Sequence, residues 1–183
     1  MAGIDERVIQ MRVGGLVIDP NTKSPIVVLR GVDDERLYLP IYVGGSEASA
    51  IAAALSHVEL PRPMTHDLLS NVLGLVGIQL QKVTIIDLVD GTFYAELSLC
   101  DDQGHQWDLD SRPSDAIAVA LRAGAEIFVA QKVVEEAGGL AEEEGDEGLE
   151  EGAEPETGGA PIIVTGDVDL EDLDPDDFGG YEM

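Results

Sequence analysis

The stretch Ser46-Glu47-Ala48-Ser49-Ala50-Ile51-Ala52 returns 68 positions later as Ser114-Asp115-Ala116-Ile117-Ala118-Val119-Ala120. The pattern Ser-acid-Ala-x-Ala-(Ile/Val)-Ala therefore occurs twice. Each copy has a matching start as well: Ile9-Gln10-Met11 lies 38 residues before Glu47, and Ile78-Gln79-Leu80 lies 37 before Asp115. These correspondences imply an internal duplication, with copies at about 8–57 and 78–124, each forming half of a small domain.

Working outward, alternating apolar residues predict strands at Val8 to Ile18, Ile26 to Arg30 and Leu37 to Val43 in the first copy. The same alternation predicts Ile78 to Leu88, Phe93 to Leu99 and Gln106 to Leu109 in the second, since side chains alternate faces along a strand. A helix follows in both copies, with Ser46 and either Ser111 or Ser114 as cap candidates and Glu47 or Asp115 suited to the positive end of the helix dipole. An extra helix is expected from about Thr65 to Val76 between the copies, and a late strand at Glu126 to Ala130. The fold class is α+β: a doubled βββα unit with a mixed or antiparallel sheet and helices packed to one side.

Charge marks the domain boundary. All ten basic residues lie within Met1 to Lys132, beside 18 acids, for a net charge of −8; from Val133 onward there are 19 acids and no Lys or Arg, completing the total of −27. Residues 1–137 suffice for one core. Residues 138–160, nearly all Gly, Glu and Ala, bury too little apolar surface to offset their ordering entropy and are expected to be a disordered linker. Apolar residues return among aspartates in 161–183, which reads either as a docking motif or as a solvated tail. The single Cys100 excludes an internal disulfide. Neither a signal peptide nor a run approaching the ~18 apolar residues of a membrane span is evident. The expected location is cytoplasmic.

Two clusters carry the chemistry-bearing residues. In Arg62-Pro63-Met64-Thr65-His66-Asp67, Pro61 and Pro63 stiffen the approach and Thr65 is placed to cap the helix, so His66 and Asp67 fall in its first turn with Arg62 just outside. An imidazole, a carboxylate and a guanidinium in one stretch can act as base, metal ligand and phosphate clamp; equally, Asp67 can serve only the helix dipole. In Asp108-Leu109-Asp110-Ser111-Arg112-Pro113-Ser114-Asp115, Asp108 and Asp110 share a strand face and Asp115 follows in a helical turn. Such carboxylates suit a hard cation like Mg²⁺, or simple pairing with Arg112. Because Glu47 and Asp115 are equivalent positions, the duplication can bring two carboxylates together; equivalent capping acids would look the same. His57, His105, Asp87, Trp107 and Phe93-Tyr94 read as surface or core residues.

Four separated segments occur in an order that resembles the bifunctional nuclease domain family. They are Leu39-Pro40-Ile41-Tyr42-Val43-Gly44 running into Glu47-Ala48, then Arg62-Pro63-Met64-Thr65-His66-Asp67-Leu68, Thr92-Phe93-Tyr94-Ala95, and Asp110-Ser111-Arg112-Pro113-Ser114-Asp115-Ala116. The resemblance covers roughly Arg7 to Ala137, and the ending Leu173-Asp174-Pro175-Asp176-Asp177-Phe178 is similar to the tail of actinobacterial members. It implies an internally repeated α+β fold and nuclease activity on both DNA and RNA.

An acidic body is unusual for a nucleic-acid binder, whose affinity comes largely from phosphate contacts by basic residues. Divalent cations, Mg²⁺ or Mn²⁺, would neutralise the acids and polarise the phosphate. On that expectation Asp67, Asp110 and Asp115 are metal ligands, His66, Asp67 and Glu47 are catalytic, and Arg62, Arg112 and Arg122 clamp phosphate oxygens. The alternative is a non-enzymatic regulatory or binding module whose acidic tail binds a protein partner, mimics nucleic acid or folds back over the body's arginines. Exposed sheet edges also allow a homo-oligomer.

Overall fold

Apolar alternation yields strands close to where the sequence places them. The computed structural model describes residues 7–58 and 60–141 and the backbone of Ile163–Val164. The first strands are β1 (Val8–Ile18), β2 (Pro25–Gly31) and β3 (Leu37–Tyr42), followed by helices α1 (Gly45–Leu55) and α2 (Thr65–Leu75). Then come β4 (Ile78–Val89), β5 (Thr92–Asp101), β6 (Gln106–Ser111), α3 (Pro113–Ala123), β7 (Glu126–Ala130), α4 (Gln131–Ala137), β8 (Gly139–Leu140) and β9 (Ile163–Val164). The order strand, strand, strand, helix thus occurs twice, giving an α+β fold.

The strands form one mixed sheet in the order β6-β5-β4-β7-β1-β2-β3-β8, with β9 also paired to β1. Two antiparallel meanders, β1-β2-β3 and β4-β5-β6, are joined by β7, which runs antiparallel to β1 and parallel to β4. Helix α4 touches β3 as well as β4, which are four places apart in the sheet, so the sheet curls around its core.

The core is a single cluster. Val27 and Leu29 of β2, Leu39 and Ile41 of β3, Val83 and Ile85 of β4, and Ala95, Leu97 and Leu99 of β5 all point into it. Helix α3 is the most enclosed element: Ala116, Ile117, Ala118, Val119 and Ala120 are consecutive and all buried. A helix apolar on every side must be surrounded, and α3 contacts α1, α2, β4, β5 and β7. The two Ala-rich helices of the repeated pattern pack directly on each other, because small side chains let helix backbones approach closely. Pro113 occupies the first position of α3, where its missing N–H costs nothing. Gly124 ends the helix at φ 66°, a left-handed conformation that glycine adopts without strain.

The expected hydroxyl caps are not used. Gly44, Met64 and Arg112 occupy the cap positions of α1, α2 and α3, and none makes a side-chain cap hydrogen bond. Ser46, Thr65 and Ser114 instead lie inside the helices, and Ser111 gives its hydroxyl hydrogen to the Arg112 carbonyl. The acid at the third helical position does the work: the Asp67 carboxylate accepts the Met64 N–H at 2.7 Å. The folded body also runs past the expected boundary at residue 137. Gly139 and Leu140 pair with Tyr38 and Leu37, and Ala141 N–H donates to the Arg36 carbonyl at 2.8 Å. Backbone hydrogen bonds to an open sheet edge hold this glycine-containing segment despite its composition. Beyond it, the linker and tail expected at 142–183 lie outside the described residues except for Ile163–Val164. Among the described residues no helix is long and apolar enough to cross a membrane.

Truncating the centre of α3 tests this packing. Ile117→Ala should lower unfolding free energy by about 2–5 kcal/mol, measured by urea denaturation, whereas the exposed Leu109→Ala on β6 should change it by about 0.5 kcal/mol or less.

Candidate active site

Three helix starts supply the polar residues, and each presents an acid at its third position: Glu47 on α1, Asp67 on α2 and Asp115 on α3. The β6–α3 junction turns sharply at Arg112-Pro113, leaving the Arg112 side chain 66% exposed beside the first turns of α3 and α1. Its Nε donates to Asp115 Oδ2 at 2.8 Å, while Nη2 donates to Glu47 Oε1 at 2.7 Å and to Asp115 Oδ1 at 3.1 Å. The equivalent acids of the repeated pattern therefore meet on one guanidinium. Hydrogen bonds donated to Asp115 and then to Glu47 raise the Arg112 pKa above its ordinary value.

The stiff segment Pro61-Arg62-Pro63 delivers α2 across α3, and His66 Nε2 lies 3.0 Å from Asp115 Oδ1. Burial pushes the Asp115 carboxyl up, but hydrogen bonds from Arg112 and His66 outweigh it and hold the group below the usual carboxylate range. An ionised carboxylate only accepts, so His66 Nε2 carries the hydrogen and, in the neutral imidazole, Nδ1 keeps the lone pair. The His66 side chain is only 12% exposed. Imidazole, carboxylate and guanidinium thus form one connected chain, Glu47–Arg112–Asp115–His66.

Asp67 belongs to an adjoining network. It pairs with Arg122 in the last turn of α3, whose side chain is 10% exposed. Arg122 also donates to the Ala118 carbonyl at 2.8 Å and to the Ala50 carbonyl of α1 at 3.1 Å. One guanidinium therefore fastens α1, α2 and α3 together. The Arg122 hydrogen bond, with help from the Met64 N–H, holds the Asp67 pKa below its ordinary value against the effect of burial. Asp67 and Arg122 form the polar side of a cleft of about 280 Å³ whose other walls include Ala53, Ala54, His57, Val58 and Leu121.

The three carboxylates expected to bind metal are not gathered at one point. Asp110 stands opposite Glu96 on β5, while its neighbour Leu109 stands opposite the buried Leu97. Strand alternation therefore turns Asp110 away from the core face that carries the helices. Asp67 and Asp115 are engaged by different arginines. Among the described residues no cluster of three or more His, Cys, Asp or Glu is arranged to hold a metal ion. The donor set in this arrangement does not fit a dication: Glu47 and Asp115 spend their charge on Arg112, which a metal would have to displace. Arg62 is exposed at the approach to α2. Sequence reading named Arg122 as a phosphate clamp and missed its fastening of three helices. The available signal was a lone basic residue directly after the apolar run Ala116-Ile117-Ala118-Val119-Ala120-Leu121, two turns from Asp115.

The model of the bifunctional nuclease domain matches residues 27–142, a span containing every residue of both networks. The chain belongs to the bifunctional nuclease domain family. An uncharacterised protein of Mycobacterium tuberculosis is 41% identical over 138 residues, covering 75% of this chain and 81% of that protein. Bifunctional nuclease 1 of Oryza sativa subsp. japonica is 29% identical over 109 residues, covering 58% of this chain and 33% of its own. Bifunctional nuclease 2 of Arabidopsis thaliana is 31% identical over 98 residues, covering 52% and 30%. The shared region is thus about a third of the length of these plant relatives.

Two outcomes test the geometry. Because the folded Asp67 pKa lies below its ordinary 3.8, the stability it contributes is complete above that value and is lost as pH falls through the folded-state value. Asp67→Asn should lower Tm at neutral pH and flatten the fall of Tm between about pH 4 and pH 2. A Cβ at Gly44 would lie 2.3 Å from Glu47 Oε2, while the Gly44 backbone, at φ −74°, suits any residue. Gly44→Ala should therefore keep the unfolding free energy within about 1 kcal/mol of wild type yet detach Glu47 from Arg112, seen by NMR as a change in the Arg112 Nη2 signals while the Nε–H signal, held by Asp115, is unchanged.

Proposed function

We propose that this protein hydrolyses phosphodiester bonds of DNA and RNA, using the His66–Asp115 pair and Arg112. The observation that carries this reading is membership of the bifunctional nuclease domain family, supported by plant relatives named bifunctional nuclease. The networks supply suitable chemistry. Asp115 orients the imidazole through Nε2, leaving Nδ1 to take a proton from water as its oxygen attacks phosphorus and the leaving oxygen departs. Arg112 is exposed and its Nη1 lies outside the pairings with Glu47 and Asp115, which suits it to a non-bridging phosphate oxygen, a charge-assisted contact, while the two acids hold the guanidinium in place. Arg62 offers a second phosphate contact, and Asp67 keeps the first turn of α2 seated so that His66 reaches Asp115.

A second reading has its own support. The body is net acidic, and the segment 142–162 carries nine acids and no basic residue. On either side of it in the sequence, Ala141 N–H bonds the Arg36 carbonyl, and the backbone of Ile163–Val164 pairs with Val17 and Leu16 of β1. We infer from this charge that the acidic stretch competes with phosphate for the body's arginines, or engages a basic protein partner.

The deciding experiment measures cleavage of labelled single- and double-stranded DNA and RNA with Mg²⁺, Mn²⁺ or EDTA. His66→Ala should lose about 10²–10⁴ of the rate. Arg112→Lys, which keeps charge but not the fork, should lower kcat/KM about tenfold. Equal cleavage by wild type and His66→Ala prepared identically would remove His66 from the reaction. Absence of cleavage by wild type in every condition would favour the binding module. Faster cleavage after deletion of residues 142–183 would support the competing acidic segment.

A further inference from the structure

The helix α2 is inside out. Its inward positions His66, Ser70 and Leu73 are partly buried, and among them only Leu73 is a large apolar side chain packed on the core. Leu68, Leu69, Val72, Leu75 and Val76 are all exposed, Leu75 by 86%. At 100° per residue these five fall within one arc of about 120°, the width of the stripe that an amphipathic helix normally turns toward a core. None of the residues of α2 is fully buried. An isolated helix of 11 residues is marginal in water, so its stability depends on packing, and one inward leucine with two pairings at its first turn is little packing.

We propose that this outer face of α2 is the contact surface of a homodimer, with α2 of one copy packing on α2 of a second. Area fits such an interface. The five side chains expose on the order of 500 Å² per copy, the apolar centre of an interface whose standard size is about 800 Å² per partner. A contiguous apolar patch of this size is comparable to the largest on a typical monomer, and such patches are often functional.

Charge selects the second copy as occupant. The chain carries −27 overall, so two copies repel wherever their acids face each other. Residues 68–81 contain no charged residue, the longest such run in the chain, and α2 lies within it after its first turn. This is where an acidic protein can meet itself. The open edge at β6 is worse suited, because its Asp108 and Asp110 would oppose like charges in a self-paired strand. A basic partner would gain nothing from a charge-free stripe. An anionic lipid surface is disfavoured too, since α2 carries no Lys or Arg to meet it. A two-fold pairing also suits a single apolar face that is complementary to itself. This inference stands independently of the nuclease reading.

Sedimentation equilibrium of the full chain from about 1 to 100 μM, at about 0.15 M salt to screen the acidic body, tests it. Wild type should sediment as a dimer, and Leu75→Glu combined with Val72→Glu as a monomer with a weakened dimer at least a hundredfold above the wild-type Kd. Leu75→Glu alone, at a side chain already in solvent, guards against unfolding and should shift the equilibrium the same way with an unchanged circular dichroism spectrum. Leu109→Glu on β6 should leave the dimer intact. A wild-type monomer across the range, a dimer unaffected by the α2 variants, or a dimer dissolved by Leu109→Glu would each overturn the proposal.

Discussion

A guanidinium with one-tenth of its surface in solvent cannot be left without partners, because an uncompensated buried charge costs several kcal/mol. Arg122 sits at the end of an otherwise apolar helix and meets that requirement with one carboxylate and two carbonyls drawn from three helices. The carboxylate, Asp67, is the residue that also takes the Met64 N–H, so satisfying Arg122 fixes where α2 begins. His66, one position earlier, then has no freedom to sit elsewhere than against Asp115. A structural ion pair at one end of α3 thereby sets the geometry of the polar chain at the other.

That dependence separates two kinds of residue that look alike in a motif. His66 and Asp67 are neighbours, yet one points to Asp115, beside the exposed Arg112 at the start of α3, and the other to the enclosed Arg122 at its end. The first pairing faces solvent-accessible chemistry; the second is a fastening. Substitutions at Asp67 will therefore mix loss of fold with loss of activity, whereas Arg112, largely in solvent, reports more directly on what the site binds.

How much of this was legible varies with the range of the interaction. Strands follow from period-two alternation, a local property, and Val8–Ile18 or Glu126–Ala130 needed nothing more. The meeting of Glu47 with Asp115 was foreshadowed by the repeated heptapeptide, because equivalent helices that pack together bring equivalent positions close. Cap assignment failed since Ser46, Thr65 and Ser114 sit one or two residues too late and Ser111 one too early, and the backbone placed Gly44, Met64 and Arg112 at the boundary instead. The grouping of Asp110 with Asp115 neglected that a strand residue and the following helix residue need not share a side of the sheet. The outward stripe of α2 was not legible at all: its spacing is that of any core-facing helix, and only the tertiary arrangement shows which way it turns.

Strand β7 carries a consequence for how the chain is made. Within the described sheet it is the only strand lying between the two meanders, and its partners on β1 are separated from it by well over a hundred residues. Until residues 126–130 leave the ribosome, β1 and β4 present open edges on two half-sheets with nothing to join them. Non-local pairing of this kind slows folding, and unpaired edges in a waiting intermediate invite association with other nascent chains. This short joining strand is thus the step at which synthesis, folding and aggregation compete.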